Sequence, residues 1–136
     1  MSRILCFDWG SKRCGIAVTD PLRMIASPLT TVETTGIMAW LKDYLSKEEV
    51  GIFLVGEPFN MDGSDTHATR PAQQFIKKLG KEFPSVQVVT TDERMSSKLA
   101  SRALVDMGMK KKKRQEKGQL DQVAAAMMLR EYLERL

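Results

Sequence analysis

The sequence predicts an α/β fold, and three observations carry that prediction. Ile4 to Phe7 and Val50 to Val55 are short apolar runs without polar alternation, so each reads as a strand buried on both faces. An amphipathic helical pattern lies between them, and a strand, helix, strand order implies a right-handed crossover unit. Gly10 to Gly15 then separates the first run from a second one, Gly15 to Thr19, in the manner of a hairpin connection. With 136 residues, 43% of them hydrophobic and 28% charged, the chain is expected to form one domain, residues 1–136, with an ordinary core.

Asp8 ends the first strand, where a carboxylate needs a metal, a cation or a turn to justify it. Gly10 beside it allows a phosphate oxygen close to the backbone, and Lys12 and Arg13 share the turn; the plainer alternative is a solvated hairpin. Asp20-Pro21 marks a further turn, and Met24 to Val32 reads as a third strand that Pro28 assigns to an edge or bulge. Thr35 is the expected N-cap of a helix whose inner stripe is Ile37, Trp40, Leu41, Tyr44 and Leu45. The loop from Gly56 to Asp65 follows the Val50 to Val55 strand, at the kind of strand end where ligands collect. Glu57, Asp62 and Asp65 are metal candidates there, although such residues more often form turns. Thr66 or His67 opens the next helix, running to about Phe83 over Ala72, Phe75, Ile76 and Leu79, with His67 expected at the surface. Val86 to Thr91 is the next strand, ending in Asp92, Glu93 and Arg94. A helix capped by Ser96 or Ser97 runs on to Met107.

The last helix gives the sharpest periodicity. Counting in helical steps from Asp121 meets Ala124, Ala125, Met128, Leu129, Tyr132, Leu133 and Leu136, so Asp121 is the first member of an apolar stripe and faces the sheet. Small Ala124 and Ala125 let the helix come close. A first-turn acid also suits the helix dipole, but that does not account for its place on the buried stripe.

Asp8, Glu93 and Asp121 therefore stand at convergent positions. Their mutual repulsion and desolvation call for divalent cations, and an oxygen-only donor set points to Mg²⁺ or Mn²⁺ rather than Zn²⁺. Two ions roughly 4 Å apart would clamp a phosphodiester for in-line attack. The formal charge of +4 is unevenly placed: Lys110 to Lys117 holds six basic residues and one acid, leaving the remainder at −1. That run, within a flexible loop at about 109–118, is expected to attract a polyanion, the plainer reading being a solvated charge run. No span of about 20 apolar residues suggests a membrane partner, and the cytoplasm is the expected location. Cys6 and Cys14 read as reduced structural thiols.

These residues carry a resemblance. Asp8-Trp9-Gly10-Ser11-Lys12-Arg13 with Gly15, Asn60-Met61-Asp62-Gly63-Ser64, Asp92-Glu93-Arg94-Met95-Ser96-Ser97, and Asp121 with Ala124-Ala125 are similar to the motifs of the YqgF family. This is the family of RuvX-like Holliday junction resolvases, also described as pre-16S rRNA nucleases. Glu57 and Trp9 depart from its usual residues. The resemblance implies an RNase H-like fold, a five-stranded mixed sheet with an antiparallel second strand, flanked by helices. It implies that Asp8, Glu93 and Asp121 are the catalytic, metal-binding acids.

The expected function is a Mg²⁺- or Mn²⁺-dependent endonuclease, with maturation of the 5′ end of pre-16S rRNA favoured over resolution of branched DNA. Lys12, Arg13, Arg70 and Arg94 are candidate phosphate contacts, and Lys110, Lys111, Lys112, Lys113 and Arg114 form the expected nucleic-acid clamp. A catalytically inactive nucleic-acid-binding module is the non-enzyme alternative. An actin-like ATPase or sugar kinase also opens its site with an Asp-x-Gly turn, but needs two such domains. The chain is expected to act as a monomer or homodimer.

Overall fold

The computed structural model describes residues 2–60, 62–92 and 117–136. Strand β1, Arg3–Asp8, is buried from Ile4 to Asp8, as its unbroken apolar run requires. It pairs antiparallel with β2, Arg13–Thr19, which pairs antiparallel with β3, Ala26–Glu33. A 3-10 turn at Thr34–Gly36 leads into helix α1, Ile37–Lys47, and back to β4, Val50–Glu57, parallel to β1. Helix α2, Thr69–Glu82, then returns the chain to β5, Gln87–Asp92, parallel to β4. Lys117–Glu134 is α3. The sheet order β3-β2-β1-β4-β5, with β2 antiparallel to both neighbours, makes this a five-stranded mixed sheet of the RNase H-like kind.

Alternation along the strands divides the core in two. Leu5, Phe7, Ile16, Phe53 and Val55 pack with Ile37 and Leu41 of α1 and Phe75 and Leu79 of α2. The Phe7 ring meets Phe53 and Phe75 edge to face, with centroids 5.6 and 5.5 Å away. Ile4, Cys6, Ala17, Ile52 and Leu54 face the other way, onto Ala125, Met128 and Leu129 of α3. Cys6 and Cys14 are buried on opposite faces of the sheet and share no disulfide, consistent with structural thiols.

Several boundaries differ from expectation. The β2 strand begins at Arg13, two residues early. The sheet register slips opposite Leu29, where Ile16 faces Thr30 but Ala17 faces Pro28, so the proline sits at a bulge on the edge strand. Thr35 does not cap α1: Gly36 holds that position without a side-chain bond, and the preceding Thr34 hydroxyl donates to the Gly10 carbonyl (2.6 Å). Helix α2 starts at Thr69 rather than at Thr66 or His67. The Thr66 hydroxyl accepts from Ala68 N, and the Thr69 hydroxyl accepts from Thr66 N while donating to the Pro58 carbonyl, so this stretch is a tied turn. His67 is exposed, as expected. Lys117 and Gly118 belong to α3 rather than to a loop. Leu136 lies beyond the end of α3 and is 75% exposed, so the inward stripe stops short of it. The expected helix capped by Ser96 or Ser97 lies outside the described residues.

Candidate active site

Three backbone facts build the site. Asp8 shares its face of β1 with Ile4 and Cys6, because residues two apart point the same way, so it belongs to the α3 side of the sheet. It is 5% exposed. Its partner across the antiparallel ladder is Gly15 of β2.

Gly15 is where α3 touches down. A β-carbon built there would lie 2.2 Å from the backbone carbonyl of Asp121 and 2.6 Å from the amide nitrogen of Gln122, closer than any real contact allows. Ala124 and Ala125 are buried behind it, so small residues on both surfaces permit the approach. Asp121 is the fifth residue of α3, in its second turn rather than its first, and that turn rests directly beside the cross-strand neighbour of Asp8. The helical stripe shows the two alanines but not the part the glycine plays in this approach. A glycine inside a β-branched strand pattern was the available signal.

The Asp121 side chain is about one-third exposed, so it sits at the rim of the sheet face rather than wholly within it. Its Oδ2 accepts from Arg13 Nε at 2.7 Å. Arg13 and Gly15 are two apart on β2 and share the α3 face, which gives the guanidinium its reach. Arg13, expected to contact phosphate, is thus held by one of the candidate acids. Lys12 is exposed on the turn, and its carbonyl accepts from Thr34 N (3.0 Å). Gly10 leaves no room for a β-carbon, which would fall 2.5 Å from the Arg13 carbonyl. The turn carrying Lys12 and Arg13 is therefore tied to the chain entering α1.

The remaining candidates divide. Arg70 is exposed on α2, on the opposite side of the sheet from α3, so the structure does not gather it with Asp8 and Asp121. Asp62 Oδ1 accepts from the Ser64 amide and hydroxyl, and Glu57 Oε2 accepts from Gln73 Nε2, so both have structural partners. Glu93, Arg94, Lys110, Lys111, Lys112, Lys113 and Arg114 lie outside the described residues. Among the described residues, no three His, Cys, Asp or Glu side chains form a metal-holding group. What the described part provides is two carboxylates brought to one sheet face, one buried and one at the rim. An oxygen-only donor set of this kind suits a hard divalent cation.

A model of the RuvX family, described as Holliday junction resolvase, matches residues 2–135. The chain belongs to the RuvX family. It is 43% identical over 135 residues to a Flavobacterium psychrophilum protein named "Putative pre-16S rRNA nuclease", covering 99% of this chain and 98% of that one. A Christiangramia forsetii protein of the same name is 44% identical over 133 residues, covering 98% of each chain. YeaZ from Pseudomonas aeruginosa overlaps with a TM-score of 0.44 at 18% identity, over 79% of this chain and 50% of its own, too loosely to add to the topology. As a RuvX-family protein the chain is a nuclease, a hydrolase of phosphodiester bonds, and its substrate is nucleic acid. No helix among the described residues is long and apolar enough to cross a membrane.

Proposed function

We propose that this chain is a Mg²⁺- or Mn²⁺-dependent endonuclease that processes the 5′ end of pre-16S rRNA in the cytoplasm. The observation that carries the reading is the seating of Asp121 on Gly15, beside Asp8, on one face of the sheet. Asp8 and Asp121, with Glu93 as the third acid, would hold two ions. Such ions supply an activated water and stabilise the leaving oxygen. The chain's own residues do the rest. Burial fixes the Asp8 carboxylate, since the strand around it is packed on both faces. The Arg13 bond orients Asp121 and keeps a cation at the rim where a phosphodiester approaches. Lys12 on the turn, Arg94, and the Lys110 to Arg114 run add attraction for the polyanion. The names carried by close relatives favour the ribosomal substrate.

The family description favours a second substrate, branched DNA. A junction resolvase requires two symmetric copies, whereas an enzyme that trims one RNA strand does not. Purified protein offered a pre-16S leader and a four-way junction under identical Mg²⁺ and Mn²⁺ conditions is expected to cut the leader preferentially, to lose cleavage on chelation, and to sediment as a monomer. Preferential junction cleavage by a dimer would overturn the ranking.

A further inference from the structure

Trp9 follows Asp8, and alternation sends it to the opposite face of the sheet. There its indole lies against Phe75 of α2, with centroids 6.3 Å apart and planes tilted by 35°. Trp9 and Phe75, with Met38, Pro71, Gln74 and Lys78, line a hollow of about 310 Å³ between α1 and α2. Trp9 Nε1 is itself buried and has no acceptor among the described residues. A buried donor left unpaired is costly, so it is rarely retained without a use.

The α2 flank of this hollow is basic, and Lys78 is the charged residue in its lining. Helix α2 carries Arg70, Lys77, Lys78 and Lys81 against a single acid, Glu82, and all five are exposed. A second hollow, of about 390 Å³, lies on the other flank of the helix; Arg70, Lys77 and the acid Glu57 border it, and Gln74 is common to both. Aromatic walls, an amide and flanking cations are the components with which proteins hold an unstacked base and its phosphates.

We propose that the Trp9–Phe75 hollow receives an unstacked base of the substrate strand, with Lys78 and Lys77 holding the adjoining phosphates. This rests on the nuclease reading of the acid face. Adjacent Cα atoms are about 3.8 Å apart, so a strand whose scissile phosphate lies at Asp8 needs only to turn around the end of β1 to reach Trp9. The hollow would then set where along the strand the cut falls, because a seated base fixes the register of the phosphates relative to the acids.

The test uses Trp40→Phe, which leaves Trp9 as the sole tryptophan of the two, and works in chelator so that no cleavage occurs. Single-stranded RNA is expected to change Trp9 emission saturably, and an abasic oligomer of equal length to bind about tenfold more weakly or worse. Lys78→Gln, an exposed change that does not threaten folding, is expected to weaken binding several-fold and to reduce the slope of log affinity against log salt by about 0.7. Unchanged Trp9 emission while RNA binds by anisotropy overturns the proposal, as does equal binding of the abasic oligomer. An equally strong response to an acidic peptide also overturns it and marks the hollow as a protein-docking site. Cleavage with a silent Trp9 refutes this inference alone. A Trp9 response without cleavage in any metal refutes the nuclease reading and leaves the base pocket standing.

Discussion

The two ends of the β1–β2 hairpin each hold an aspartate at a strand terminus, and the two carboxylates are used differently. At one end Asp8 is 5% exposed, faces α3, and lies opposite the glycine on which Asp121 is seated. At the other, Asp20 follows β2 in an exposed loop, where its oxygens accept from the amides of Leu22 (3.2 Å), Met24 (2.9 Å) and Ile25 (2.7 Å). Arg23 within that loop adopts a left-handed φ of 56° and donates to the Ser2 carbonyl and hydroxyl, which fastens the loop to the start of β1. A strand-end aspartate is therefore a turn former where backbone amides saturate it. Where a second acid is instead delivered to the same face, it becomes a candidate ligand.

The largest expected effect is at the Asp8 end. Asp8→Asn keeps the shape and removes the charge, so kcat on a pre-16S leader is expected to fall by roughly 10³-fold or more, with RNA affinity changed by no more than a few-fold. Affinity measured in chelator by anisotropy, beside a single-turnover cleavage assay, checks this. Cleavage retained within tenfold would remove the distinction between the two ends.

Gly15→Ala tests the delivery of Asp121 without touching either acid. The added methyl meets the backbone of Asp121 and Gln122, which cannot swing aside as a side chain would, so α3 must lift. Overpacking of this kind costs about 1–3 kcal/mol, seen as a fall of several degrees in Tm. A displacement of about 1 Å at the acids is worth about 10²-fold in rate, so kcat is expected to fall while KM holds. An unchanged kcat with a lowered Tm would make the glycine a packing residue only.

Much of this was legible because it is local. The unbroken runs of β1 and β4 announced burial on both faces, and the stripe from Asp121 to Leu133 announced the inward face of α3. The helix starts were not legible in the same way. Thr35 and Thr66 look like caps, yet Gly36 holds the cap position of α1 and the hydroxyls of Thr34, Thr66 and Thr69 serve turn contacts such as Gly10 and Pro58. Leu136 fits the helical count but not the sheet, because α3 ends at Glu134. The hollow at Trp9 depends on Phe75, sixty-six positions away, which no local pattern reveals. The charge total concealed α2 as well, since four exposed basic residues there are balanced by acids elsewhere.

The smallest expected effect lies at the Asp20 end. The amide of Ile25 above all holds the Asp20 carboxyl below its ordinary value of 3.8; desolvation, next in size, opposes it, and the amides of Met24, of Asp20 itself and of Leu22 add to the lowering. A depressed folded-state value means that the charged form stabilises the fold; that contribution is complete above the unfolded value and is lost as pH falls through the folded one. Asp20→Asn is therefore expected to lower Tm modestly at neutral pH, with the gap to wild type closing below about pH 4. Cleavage near neutrality should be unaffected, because Asp20 lies at the end of the hairpin away from the acids. A gap that persists undiminished in acid would show that the loop depends on the geometry of the side chain rather than on its charge. An equal loss of cleavage would show instead that the two ends of the hairpin act together.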